Sequence, residues 1–165
     1  MFKKIVFALF VLVLSFRIFS ASTPPRQKIE ISGLTISGSP LKISVNDLEK
    51  NLNLVKTTIY DPYNKNEKTT FEGFYFYDLV KKYAKPEVKN VYVKAIDGYS
   101  VETPIETMKA EKMILAIKDQ QGYLGVNRMG PTRVIYPVEK MIDKDLLLKI
   151  GLHWVWQIKS LEFRK

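Results

Sequence analysis

Apolar and polar positions along this chain switch between a period of two and a period near 3.6. IEISGLTI, 29–36, alternates and predicts a strand. Gly38-Ser39-Pro40 marks a turn. Ser44-Val45-Asn46-Asp47 has the spacing of a capping box, and Leu48 and Leu52 share one face of the short helix it would start. LVKTTIY, 54–60, has the β-branched content of a strand, and the polar run 61–68 reads as a loop. FYFYDLVKKY, 74–83, is expected to begin extended and turn helical near Asp78, with Pro86 limiting the helix. NVYVKAI, 90–96, is a strand, Asp97-Gly98 a turn, and Ser100 to Thr103 a second short strand that an antiparallel pairing would suit. Pro104 fits the first position of a helical turn over 104–108. MILAIKD, 113–119, is another strand, and Gln120-Gln121-Gly122 a turn. YLGVNRMG, 123–130, lacks periodicity and reads as a binding or connecting loop. An extended stretch at 132–138, a short helix at 143–150 ended by Gly151, and a final strand at 154–163 complete the pattern.

Strands and short helices are mixed here without regular β-helix-β units. That predicts one compact α+β domain with a mixed β-sheet rather than a doubly wound sheet. No internal repeat or inter-domain linker interrupts the chain.

The first residues follow a different pattern. Lys3 and Lys4 precede the apolar run 5–16, and Ser20-Ala21-Ser22-Thr23 and two prolines follow it. This is the layout of a secretory signal peptide. Cleavage is expected after Ser22, with Ser20 as the near alternative and a retained anchor as the other reading. The expected organisation is a signal peptide over 1–22 and one domain over 23–165. The protein would then be exported, periplasmic or secreted, with no stable membrane span after cleavage. Cleavage removes Lys3, Lys4 and Arg17, so the net charge of +9 becomes +6. No run of five Lys or Arg and no nucleic-acid motif occurs, so nucleic acid is not an expected partner.

Composition narrows the chemistry. The 165 residues include no Cys and one His. Thiolate nucleophiles, disulfides and Cys-bound metals are excluded, and a zinc site would need mostly carboxylate ligands. His153, beside Trp154, is either a packed histidine or a ligand contact, and it has no recognisable triad partners. Glu30, Glu72 and Glu102 can pair in space, but their spacing does not show it. No GxSxG, GxGxxG or Walker sequence is present. No catalytic or metal-ligating residue is therefore assigned.

Two features remain as binding candidates. Arg133, in the GPTR segment 130–133, and Arg128 can bracket an anionic group, or each can pin a loop to the body. The aromatics between Tyr60 and Tyr77 can stack on a planar ligand or fill the core, and Tyr60 and Tyr63 are the pocket candidates among them.

The ordered segments EG-x-x-x-x-DL at 72–79, DGYS at 97–100, GPxR-x-x-x-P at 130–137 and W-V-x-x-I at 154–158 resemble the oxidoreductase molybdopterin-binding domain of the sulfite oxidase family. The resemblance spans about residues 29–163. It implies an α+β domain that holds a pterin-linked molybdenum, with a metal-ligand cysteine in the stretch after an early strand. Here that stretch is Thr57-Thr58-Ile59-Tyr60-Asp61-Pro62, without a cysteine. Tyr60 and Asp61 offer only oxygen where the family has a soft thiolate. The resemblance places Arg133 near cofactor or substrate anions and Tyr99 on a pocket-side turn; Arg128 would join them around a cofactor in the redox alternative.

Arg133, Arg128, Tyr60, Asp61 and Tyr99 are thus the candidate cofactor- or ligand-binding residues. The leading expectation is a non-catalytic exported domain, without cofactor, that binds an anionic or planar small ligand or an envelope protein. The alternatives are a molybdopterin-binding redox protein with non-cysteine coordination and a structural partner in an envelope complex.

Overall fold

Ten strands and four short helices follow one another in the computed structural model, which describes residues 23–165. The expected signal segment, 1–22, lies outside the described residues. Strand β1, Lys28–Gly33, is followed by β2, Leu41–Ser44, and helix α1, Val45–Asn51. The capping box is formed: Asp47 N–H donates to the Ser44 hydroxyl, and Ser44 N–H donates to the Asp47 carboxylate at 2.9 Å. Then come β3, Val55–Asp61, β4, Glu67–Tyr75, and α2, Phe76–Tyr83. Next are β5, Asn90–Ala95, β6, Ser100–Pro104, and α3, Ile105–Ala110. The chain ends with β7, Ile114–Asp119, β8, Gly122–Tyr123, β9, Arg133–Ile135, α4, Lys144–Ile150, and β10, Ile158–Arg164.

These strands form two sheets. The first has the order β2-β1-β10-β5-β6, and β1 with β10 is its parallel pair. The second runs β3-β4-β7-β8, with β9 also paired to β7. The expected α+β domain is therefore present, with its strands divided between two sheets.

Strand β7 shows why the apolar run at 113–117 is continuous. Leu115 and Ile117 pack in a core shared with β1, β10 and α2, while Ile114 and Ala116 pack in a second core with Ile59, Phe71 and Trp154. A strand buried on both faces has no polar side to show.

Several boundaries differ from the sequence expectation; for example, the strand expected over 29–36 ends at Gly33, where φ is 78°. Both ends of the expected 61–68 loop are strand: Asp61 closes β3, and Glu67 and Lys68 open β4, which lies antiparallel to β3 from Glu67 to Gly73. Its alternating half-exposed residues hide the apolar signal. Helix α2 begins at Phe76, two residues before Asp78, because Phe76 and Leu79 are both drawn into the core. The last strand begins at Ile158 rather than at 154. The residues before it are bent, with Gln157 at φ 52°, and they build the site.

Candidate functional site

The GPTR segment enters β9 through a cis peptide bond between Gly130 and Pro131. Gly130 lies against the Leu124 carbonyl so closely that a Cβ there would collide with it. The segment leads directly to Arg133, which stands across the second sheet from Asp61 at the end of β3.

Arg133 and Asp61 form a buried, two-pronged ion pair. Arg133 Nη1 donates to Asp61 Oδ2 at 2.8 Å, and Nη2 donates to Oδ1 at 2.7 Å. Both side chains are 3% exposed. The Tyr63 N–H adds a third hydrogen bond to Asp61 Oδ1 at 3.0 Å. Three rings box the guanidinium: Trp154 at 5.1 Å, Phe71 at 5.3 Å and Tyr63 at 5.5 Å. Planar guanidinium suits both the fork to a carboxylate and the faces of rings. Arg133 Nε, Thr132 Oγ1 and Trp154 Nε1 are buried without a hydrogen-bond partner among the described residues.

Arg128 is held in the same manner. It forms an ion pair with Asp119, and its Nη2 donates to the Tyr123 carbonyl at 2.6 Å. Each arginine thus has a carboxylate partner within the fold and ties a loop to the body. Their carboxylates and guanidinium groups line a small polar cavity of about 200 Å³, with Asn64 and Thr69.

A second cavity opens beside the first. It measures about 370 Å³ and is lined by Tyr63, Tyr99, Trp154 and Trp156 and by leucines of α4 and the turn after it. Tyr63 belongs to both cavities. It packs on Trp154 at 5.7 Å and edge-on to Trp156 at 4.9 Å. The Tyr99 hydroxyl donates to the Leu152 carbonyl at 2.9 Å, which ties the Asp97-Gly98 turn to the end of α4. Burial raises the phenol pKa of both Tyr63 and Tyr99, so both rings are neutral at physiological pH.

The structure thus brings Asp61, Arg128 and Arg133 to one cavity and Tyr99 to its neighbour. Tyr60 lines neither. On β3, Ile59 and Asp61 are buried, and Tyr60 points to the opposite face, with the Lys68 ammonium 5.4 Å from its ring. Trp154 and Trp156 were missed as site residues. Their signal in the sequence was two tryptophans two apart beside an apolar helix, which alternation alone assigns to a strand.

His153 lies outside this cleft. Its Nδ1 is 3.1 Å from Thr103 Oγ1, and its ring is near Tyr136. Tyr136 is pushed up to about 12 by burial and then by its hydrogen bond to Glu111. Burial also holds His153 below its usual 6.5. The unfolded chain therefore takes up this proton more readily, and the histidine's contribution to stability is lost as pH falls below that value. The urea midpoint is expected to fall from about pH 7.5 to about pH 5 by more in the native chain than in His153→Gln.

Among the described residues, no group of three or more His, Cys, Asp or Glu side chains is placed to hold a metal ion. No helix among them is long and apolar enough to cross a membrane.

No protein-family model matches the chain, and no curated protein matches it. Among solved structures, it is similar to the sulfane dehydrogenase SoxCD from Paracoccus pantotrophus, with a TM-score of 0.60 and 18% sequence identity. That match covers 83% of this chain and 38% of the other, so the chain spans well under half the length of the protein it matches. At this identity the likeness shows the fold. The chain has a mixed α+β fold of the molybdopterin-binding, sulfite-oxidase-like kind, without a cysteine.

Proposed function

We propose that this chain is an exported, non-catalytic binding domain whose aromatic cleft takes a small planar molecule. The observation that carries this reading is the cleft itself. Ligand cavities of about 300–1,000 Å³ with mostly apolar walls are the usual form of small-molecule sites. This cleft, at about 370 Å³ and with four aromatic side chains on its walls, has that form. Flat rings are the partners that such walls accept at short range.

The donor set argues against a molybdenum centre at the same place. The chain has no thiolate. Tyr60 points away, and the Asp61 carboxylate already accepts three hydrogen bonds. The Arg133 fork, which the family resemblance turns toward an anion, is spent on Asp61. These residues do not fit a dithiolene-bound metal, and no redox step is assigned to them. The activity that the name sulfane dehydrogenase describes belongs to that longer protein. The basic and apolar pattern of 1–22 supports export.

A second reading rests on the rim of the cleft. Leu148 and Leu152, which line it, are 70% and 60% exposed. An apolar rim of this kind also suits an envelope protein.

The chain contains two tryptophans, and both line the cleft, so its intrinsic emission reports on the site. A neutral planar probe, N-phenyl-1-naphthylamine, is expected to bind the folded domain at one site and quench that emission. Leu152→Asp, at an exposed cleft position, is expected to weaken binding at least tenfold. Absence of saturable quenching, or equal quenching in the variant, would refute the small-ligand reading. Co-migration with a protein partner that Leu152→Asp abolishes would favour the second.

A further inference from the structure

We infer that the ligand of this cleft carries a positive charge: it is an organic cation of the quaternary or aryl ammonium class. This rests on the small-ligand reading above and names the chemistry of the same site. Three observations lead to it.

The first is the charge of the walls. Among the described residues, Asp97 is the one charged residue lining the cleft. It sits in the turn between β5 and β6, where its Oδ1 accepts from the Tyr99 N–H at 2.9 Å. The second is the pairing of the two arginines of the adjoining polar cavity. Arg133 lies behind Tyr63 and Trp154, and Asp61 neutralises it through two short hydrogen bonds. Arg128 is paired with Asp119 in the adjoining polar cavity. Asp97 is therefore the charge that the lining of the cleft itself presents to a ligand.

The third is the use the protein already makes of these rings. Tyr63 and Trp154 each have the Arg133 guanidinium within 5.5 Å of the ring centroid. Aromatic walls attract cations through the negative charge on their faces, and a desolvated cation gains the most from it. Tyr99 and Trp156 extend the same kind of wall into the open cleft. An anion would meet Asp97 and the ring faces, both of them repulsive. A neutral planar molecule would gain the contact area without using Asp97.

The test compares phenyltrimethylammonium with its neutral isostere, tert-butylbenzene, by tryptophan quenching of the protein and of its Asp97→Asn variant. Asparagine keeps the turn's acceptor oxygen and removes the charge. The cation is expected to bind at least tenfold more tightly than the isostere. Asp97→Asn is expected to remove most of that preference while leaving tert-butylbenzene binding unchanged. Equal or tighter binding of the neutral compound would overturn the charge assignment and leave the cleft as a planar-ligand site. A cation preference that survives unchanged in Asp97→Asn would overturn the role of Asp97. Failure of both compounds, together with N-phenyl-1-naphthylamine, would overturn the cleft reading itself.

Discussion

Asp61→Ala is expected to destabilise the domain by about 3–5 kcal/mol, the usual cost of leaving one member of a buried pair without its partner. Asp61 and Arg133 are both 3% exposed, and the guanidinium is enclosed by three rings. Water cannot replace the lost carboxylate without displacing that packing. Equilibrium urea unfolding of the two proteins measures the difference. A double variant, Asp61→Ala with Arg133→Met, is expected to recover most of the loss, because it removes the stranded charge as well. Recovery would show that the pair's main effect is to satisfy itself. A double variant as unstable as the single one would show instead that the fork is needed to hold β3 against β9.

Local elements were largely legible in the sequence because local physics makes them. The Ser44 to Asp47 box needs only its own three-residue spacing, and it forms. The hairpin around Asp97-Gly98 needs only a turn between two β-rich runs, and β5 and β6 pair antiparallel as expected. Long-range pairings left no such mark. Asp61 and Arg133 stand 72 positions apart, and nothing in either segment names the other. Hence Arg133 was legible as a functional or pinning arginine and Asp61 as an oxygen donor, but not as each other's partner. The parallel pairing of β1 with β10 is equally remote, since it joins the two ends of the domain.

Tyr60 and Trp154 mark the other limit. The sequence offers Tyr60 and Asp61 together as pocket residues, although neighbours on a strand face opposite ways. Only the pairing of β3 with β4 decides which of the two turns inward. Trp154 and Trp156 were read as alternating residues of a final strand. Instead, Trp156 meets Arg133 at an isolated bridge before β10 begins, and the bend frees both indoles to form the cleft.

Those two indoles are expected to respond in opposite ways to truncation. Trp154 is 2% exposed and belongs to the second core with Ile59, Phe71 and Ile150. Trp154→Ala therefore creates a large internal void and is expected to cost about 3–5 kcal/mol. It also removes a ring from the Arg133 box and the inner wall of the cleft. Trp156 is only partly buried and packs edge-on against Tyr63. Trp156→Ala is expected to leave most of the stability in place and to weaken binding of a planar cation about tenfold. Thermal unfolding and probe titration on the same two variants distinguish these effects. Equal destabilisation by both changes would make the cleft a mere seam of the core. Weakened binding in a stable Trp156→Ala would identify the outer ring as a ligand contact. The arrangement itself explains the division: the buried Asp61–Arg133 pair holds Trp154 as a fixed wall, and Trp156 and Tyr99 stand in front of it, where a ligand can reach.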